Sequence, residues 1–480
     1  LDLPQLGREV LEVWDRENTF GRSITEREGA PAFIFYEGPP SANGLPGIHH
    51  VLSRTIKDTI CRYKTQQGYL VRRKAGWHPH GLPVELGVEK KLGITKEDIG
   101  HKISIEEYNR TCREAVMEFT GVWEELTRKM GYWVDMKHPY ITYENKYIET
   151  LWWMLKQLFD KGLLYKGYTI QPYSPAAGTG LSNHELNQPG CYRDVKDTTC
   201  TAQFEIIRDE RSEFLFDDAQ GTLYFLAWTT TPWTLPSNTA LAVGDNIEYV
   251  RVKCLNPYTQ QPQTVILAKE LLPAYFTPKM EGTYSIGERI YKGSELVGIR
   301  YRQLIDWVKP MGDAFRVISG DYVTTVDGTG IVHIAPTFGA DDDRVGKQAG
   351  IVPMYVVDRA GKNQPMVDRR GRLFRIEDMD PDFVAKYVDA ERYREWAGRF
   401  VKNAYDPSLG PDDPTLDIDI AVMLKGEGKA FKIEKHTHSY PHCWRTDKPV
   451  LYYPLDSWFI RTTALRERLM ELNDTIDWKP

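Results

Sequence analysis

Several stretches of this 480-residue chain hold residues whose types and spacing could do chemistry. One runs Gly38-Pro39-Pro40-Ser41-Ala42-Asn43-Gly44 and closes on Gly47-Ile48-His49-His50. A glycine- and proline-rich turn that delivers a helix N-terminus offers backbone N–H groups and a positive dipole end to an anion, usually a phosphate. His49 and His50 would stand at that end and could hydrogen-bond the same phosphate. A capped helix start with solvent-facing histidines fits these residues equally. Neither GxGxxG nor GxxxxGK(S/T) is present, which excludes the dinucleotide fingerprint and the P-loop. In Gly76-Trp77-His78-Pro79-His80-Gly81-Leu82-Pro83-Val84-Glu85, the glycines and prolines fix a rigid loop with Trp, His and Glu to line a site. An aromatic-anchored surface loop is the plainer reading. Thr229-Thr230-Thr231 offers hydroxyls and Asp341-Asp342-Asp343 carboxylates, although such runs are commonly strand and solvated turn or metal ligands. His436, His438, His442 and Cys443 are zinc-type donors, but their close, uneven spacing fits no standard finger, and no metal site is expected there.

The elements that must position these residues follow from periodicity. Phe33-Ile34-Phe35-Tyr36 reads as a buried strand ahead of the first loop. From His50 to Gln67 the period becomes helical, with Leu52, Ile56, Ile60 and Tyr63 on one face and Arg54, Lys57, Asp58 and Arg62 on others. Gly68 stops it. Strand, loop and helix form the opening unit of a nucleotide-binding α/β domain. Residues 103–135 read as helical, and 146–160 as an amphipathic helix with Ile148, Leu151, Trp152, Leu155, Leu158 and Phe159. Short β-type runs then dominate: Thr199–Ile207, Thr222–Trp228, Ile247–Val252, Gln263–Leu267 and Gly330–Ala335. The expected organisation is an α/β Rossmann-like first half over 1–195, an inserted β-rich domain over 196–395, and a return to the first domain over 396–480.

Length alone predicts two or three domains. Hydrophobic residues at 41% and charged residues at 27% exclude a disordered or fibrous chain. The net charge of −6 advertises no chain-wide basic surface, although a local groove could still bind phosphates. No apolar run is long enough to span a bilayer, so no membrane partner is expected. Six scattered cysteines without a CxxC pair fit a reducing, cytoplasmic setting. The charge from Asp2 onward leads to the expectation of no signal peptide, and the missing initiator Met together with the abrupt Asp477-Trp478-Lys479-Pro480 ending to the expectation of a fragment.

The two loops carry a resemblance. Pro39-Pro40-Ser41-Ala42-Asn43-Gly44 with Gly47-Ile48-His49-His50 resembles the first signature of the class I aminoacyl-tRNA synthetases. Gly76–Glu85 is similar to the next element of their branched-aliphatic subgroup. Further matches follow in order: Pro172-Tyr173-Ser174-Pro175, Leu181-Ser182-Asn183-His184-Glu185, Ala227–Asn238, Gly328–Pro336 and Ser439–Arg445. Thr337–Asp342 and the region from Lys90-Lys91-Leu92-Gly93 to Gly131-Tyr132-Trp133-Val134-Asp135 favour the isoleucine-specific type over the valine-specific one. A non-catalytic binding module of the same shape is the third reading.

The resemblance implies activation of isoleucine by ATP with Mg²⁺, then transfer to the tRNA for isoleucine. By the same resemblance His50, with His49 beside it, would serve the phosphates, and Pro40, Asn43 and Gly47 would complete the ATP contacts. Gly38, Pro39, His78 and Trp458 would hold the amino acid. The insert is similar to an editing domain, which hydrolyses the smaller valine that a hydrophobic pocket rejects too weakly, a limit for which isoleucine against valine is the standard example. Thr229, Thr230 and Thr231 would surround the ester, Asn238 and His333 would shape the pocket, and Asp342 would pair with the substrate ammonium.

Two positions depart from the family pattern. Glycine and histidine have traded places in Gly47-Ile48-His49-His50, where the family has His-x-Gly-His, and the expectation is that His49 swings aside or replaces the missing donor. His78 stands where the subgroup usually has Asp, so it offers the substrate ammonium no fixed negative charge. The second, lysine-rich ATP signature and an anticodon-binding domain are not among these residues, so the chain alone is expected to activate poorly.

Overall fold

The structure is a computed structural model and describes residues 2–277, 282–410 and 413–476. The chain divides into two compact units, Leu1–Tyr165 with Phe459–Pro480, and Lys166–Trp458.

In the first unit, strands Lys74–Trp77 and Asp135–Ile141 pair in parallel, with helices Leu82–Leu92, Ile105–Val116 and Thr120–Lys129 on the connection between them. Parallel neighbours need such a crossover. Gly76 lies opposite Tyr140, and a Cβ there would fall 2.3 Å from the Tyr140 ring. Gly76→Ala should therefore cost about 1–3 kcal/mol through forced displacement of a packed aromatic, read as a lower thermal unfolding midpoint. An unchanged midpoint would show that Tyr140 moves freely.

The strand expected at Phe33–Tyr36 does not form. One bridge, Ala32 to Leu70, marks the place, and Ile34 and Tyr36 are 70% and 87% exposed. Aromatic and β-branched composition cannot make a strand without a neighbour to share its ladder hydrogen bonds. These residues instead line an open cleft of about 690 Å³ with Leu70, Tyr140 and Tyr147.

The expected helix forms as Ile48–Gln66, but its burial is inverted. Arg54, Asp58, Cys61 and Thr65 are buried, while Leu52, Ile56, Ile60 and Tyr63 are exposed. The polar face can go inside because its polar groups find partners. Arg54 donates to Thr127 Oγ1 at 2.7 Å, Arg62 Nε to Asp58 Oδ2 at 2.7 Å, and Lys57 Nζ to Glu37 Oε1 at 3.0 Å. The helical region at 103–135 is two helices, broken where Phe119 N–H bonds the Ala42 carbonyl at 3.0 Å.

The second unit is built on β structure. All five runs anticipated between 199 and 335 form strands: Tyr192–Glu205, Thr222–Thr229, Glu248–Leu255, Pro262–Ala268 and Ile331–Ile334. The first four join Ser285–Lys292 and Ala430–Pro441 in a six-stranded sheet. Ile331–Ile334 flanks a smaller sheet whose central strand, Ala240–Val243, also pairs with Arg316–Ser319. This unit is wider than 196–395 because Tyr192–Glu205 pairs antiparallel with Ala430–Pro441, and helix Leu416–Gly426 packs on the same strand and on the turn Pro232–Ser237. Phe204, Phe225, Tyr249, Tyr301, Trp307 and Tyr393 are fully buried in its main core. Among the described residues, no helix is long and apolar enough to cross a membrane.

Candidate functional site

The first loop is tied down along its length. The Glu37 carboxylate, 2% exposed, accepts from Lys57 and from the Tyr132 hydroxyl, and its carbonyl accepts from the Tyr140 hydroxyl at 3.1 Å. Ser41 Oγ donates to the His78 carbonyl at 2.9 Å, and His78 N–H donates to the Pro40 carbonyl at 3.0 Å. The two motifs singled out in the sequence are thus laced together. Trp123 Nε1 donates to the Gly44 carbonyl at 2.9 Å, its ring meets His50 edge-on at 4.8 Å, and the Arg54 guanidinium lies 5.3 Å from the ring centre. Gly38 is exposed, while Pro39, Pro40 and Asn43 are half-buried.

Gly47 caps the helix, and His50 closes the cap: Gly47 N–H donates to His50 Nδ1 at 2.9 Å. That bond fixes the tautomer, because an Nδ1 that accepts leaves the proton on Nε2. Partial burial, then His49 and Arg54, lower the His50 pKa, so the ring stays neutral at pH 7 and carries an Nε2–H donor. The traded glycine has a spatial counterpart. A Cβ on Gly47 would fall 2.8 Å from His49 Cε1, so the His49 imidazole fills the room that a residue-47 side chain would need. If the loop holds ATP as the resemblance implies, Gly47→His alone should weaken that binding by displacing the His49 ring. Gly47→His with His49→Gly should recover affinity, and isothermal titration of ATP compares the two. Equal affinities would defeat this account.

His78 is exposed, and neighbouring His80 bonds Thr142 Oγ1 at 2.7 Å. Trp458 belongs to the second unit, on strand Leu451–Ile460, and is 62% exposed. The zinc-type residues do not converge. His438 Nε2 faces Asp197 at 3.2 Å, His442 Nδ1 faces the Tyr440 carbonyl at 3.0 Å, and Cys443 is buried with Leu181, Leu186 and Val450.

In the second unit the threonine motif folds onto His333. Thr231 N–H donates to Thr229 Oγ1 at 3.1 Å, and the two hydroxyl oxygens are 3.3 Å apart. Thr234 donates to the Thr231 carbonyl at 2.8 Å and lies 2.9 Å from His333 Nε2. Asn238 Nδ2 is 3.4 Å from His333 Nδ1, while its Oδ1 accepts from the Tyr301 hydroxyl at 2.8 Å. One proton arrangement satisfies every group: Asn238 donates to Nδ1, Nε2–H donates to Thr234 Oγ1, and Thr234 donates onward to the Thr231 carbonyl. Burial pushes His333 down to about 4, so it is neutral at physiological pH with both nitrogens engaged. It therefore orients Thr234 rather than taking up a proton. Thr230 stands outside this set of hydrogen bonds.

Asp342 lies on the first turn of helix Ala340–Ala349, and its Oδ2 accepts from Ala335 N–H at 2.9 Å, just past the end of the His333 strand. It is half-buried, and desolvation pushes its carboxyl up to about 6. Its neighbours have cations of their own: Asp341 pairs with Arg344 at 3.2 Å and Asp343 with Lys347 at 2.6 Å. Among the described residues no lysine or arginine pairs with Asp342. Glu37, Trp123, Thr234 and Tyr301 were not anticipated as site residues from the sequence. Glu37 adjoins the first loop and Thr234 the threonine run, close enough to have been included, whereas Trp123 and Tyr301 are brought in by long-range packing and leave no local signal.

A family profile for tRNA synthetases class I (I, L, M and V) matches residues 9–480. The chain is 64% identical to the isoleucine--tRNA ligase of Bacteroides fragilis, an alignment covering all of this chain and 43% of that protein. It is 63% identical to the Porphyromonas gingivalis isoleucine--tRNA ligase, again over the whole chain and 43% of the relative. Identity to the Clostridium tetani isoleucine--tRNA ligase is 43%, over 99% of this chain and 40% of that one. The chain thus spans less than half the length of these curated relatives. Its mixed α/β first unit and β-rich second unit are matched by a single profile that takes in the capped signature loop, the threonine turn and the Asp342 helix, and on that ground the chain belongs to the class I tRNA synthetases of the I, L, M and V group.

Proposed function

We propose that this chain is the N-terminal part of an isoleucine--tRNA ligase and carries its editing activity, the hydrolysis of valine wrongly esterified to the tRNA for isoleucine. The observation that carries the reading is the single hydrogen-bonded set joining Thr229, Thr231, Thr234, His333 and Asn238, with Asp342 two residues past Ala340 as a carboxylate that pairs with no lysine or arginine among the described residues. Water adds to the ester carbonyl, the ester C–O bond breaks, and valine leaves with the tRNA hydroxyl restored. Asp342 would hold the substrate ammonium, and the Thr229 and Thr231 hydroxyls would bind and polarise the ester. His333 keeps Thr234, and through it the turn, in place. The names of the relatives support isoleucine as the parent's amino acid.

In activation, an isoleucine carboxylate oxygen attacks the ATP α-phosphorus and pyrophosphate leaves, with no covalent enzyme intermediate. The chain would contribute His50 Nε2–H and the helix N-terminus to the phosphates, with Pro40, Asn43 and Gly47 along the nucleotide. Gly38, Pro39 and His78 would face the amino acid. The loop offers imidazole and backbone N–H, which donate to phosphate oxygens and do not suit a hard cation, so Mg²⁺ would arrive on ATP. Six free thiols are consistent with a cytoplasmic enzyme.

The test is deacylation by this chain of valine on isoleucine tRNA, set against threonine on valine tRNA. Selective loss of valine is expected. Selective loss of threonine would replace this reading with the valine enzyme, and loss of neither would count against autonomous editing.

A further inference from the structure

We propose that Tyr322 is a positioning residue of the editing site, whose hydroxyl holds the Asp342 carboxylate in its charged, ammonium-binding form. The inference deepens the editing reading and rests on it.

The Tyr322 hydroxyl lies 3.3 Å from Asp342 Oδ1, opposite the Ala335 N–H that holds Oδ2. Its ring packs against the small core of Ala240, Ile318, Ile334 and Val345, so the hydroxyl is delivered from a fixed base. The preceding residue, Asp321, pairs with Arg344 at 2.6 Å and so joins the Tyr322 loop to the Asp342 helix. The same bridge engages Arg344, the nearest arginine along that helix, away from Asp342. The groups facing Asp342 are therefore Asp341, with Arg344 already shared between Asp341 and Asp321, on its own helix, the Ala335 amide at the strand end, and Tyr322 on the loop. His333, on the neighbouring strand, is neutral. Burial and the Asp341 charge favour the protonated acid, while the Ala335 and Tyr322 hydrogen bonds favour the carboxylate. A half-buried carboxylate held by neutral donors and no cation is poised for a cation brought by the ligand.

Tyr322→Phe keeps the ring and removes only the donor. The acid limb of kcat/KM for valyl-ester hydrolysis, followed from pH 5.5 to 7.5, should move up by about one pH unit. The loss should be about eightfold at pH 5.5 and about threefold at pH 6.5, and should shrink as pH rises. A purely structural role would lower the rate equally at every pH, and that result overturns the proposal. A second readout separates this idea from the editing reading: ¹³C-carboxyl aspartate labelling, with the Asp342 signal identified by its loss in Asp342→Asn. Its titration midpoint should rise in Tyr322→Phe even if no ester is hydrolysed. Hydrolysis absent in the unmodified chain would count against editing alone, whereas an unmoved midpoint would remove the role of Tyr322.

Discussion

Asp342→Asn should lower valyl-ester hydrolysis at neutral pH by about a hundredfold or more, and it should also make the chain more stable. The two effects share one cause. A carboxylate that binds an ammonium across a desolvated gap contributes a charge-assisted bond that a neutral amide cannot replace, and removing such a group commonly costs several kcal/mol. The same carboxyl titrates near 6 in the folded chain against 3.8 ordinarily, so the folded state binds the proton more tightly than the unfolded state. Stability from this group is therefore full below about pH 4 and declines as pH rises through 6. At pH 7 the charged form opposes folding by up to roughly 3 kcal/mol. Asparagine still accepts from Ala335 N–H but carries no charge, so its unfolding midpoint should exceed that of the unmodified chain at pH 7 and equal it at pH 4. Scanning calorimetry at the two pH values, beside the deacylation assay, checks both halves. A variant that lost hydrolysis yet gained no stability at pH 7 would mean that Asp342 is solvated in the free chain.

The second large effect is expected at Trp123. This side chain is 2% exposed and meets three parts of the signature loop and helix: the Gly44 carbonyl, the His50 ring and the Arg54 guanidinium. Trp123→Ala should cost about 3–5 kcal/mol, from lost burial and the cavity left behind. Trp123→Phe isolates the loop contact, since it keeps an aromatic face for His50 and Arg54 while leaving the Gly44 carbonyl without its donor. That variant should fold, lose about 1 kcal/mol of stability and bind ATP several-fold more weakly, because Gly44 adjoins Asn43 and the loop would lose its anchor. ATP affinity equal to that of the unmodified chain would show that the loop is held without Trp123.

Much of this was readable in the residues. Gly47 and the imidazoles announced a helix N-terminus because cap geometry is local, set by a few consecutive φ and ψ angles. The five β runs were found because short apolar stretches rich in β-branched and aromatic residues are a local signal, set by neighbouring residues. The Thr229–Thr231 run, Asn238, His333 and Asp342 were singled out through ordered motifs; the fold joins Thr229, Thr231, Asn238 and His333 in one hydrogen-bonded set, leaves Thr230 outside it, and turns Asp342 to Ala335 and Tyr322. Other features were decided only by tertiary structure. Phe33–Tyr36 has the composition of a strand and is not one, since a strand requires a partner that no local pattern supplies. Helix Ile48–Gln66 turned its charged face inward because Glu37, Thr127 and Arg73, distant in sequence, match Lys57, Arg54 and Asp58. Asp342 looked identical to its two neighbours in a row of aspartates. What distinguishes it is that Arg344 and Lys347 reach those neighbours one helical turn on, while Asp342 points toward Ala335 and Tyr322, where folding removed water and, among the described residues, brought no lysine or arginine to pair with it.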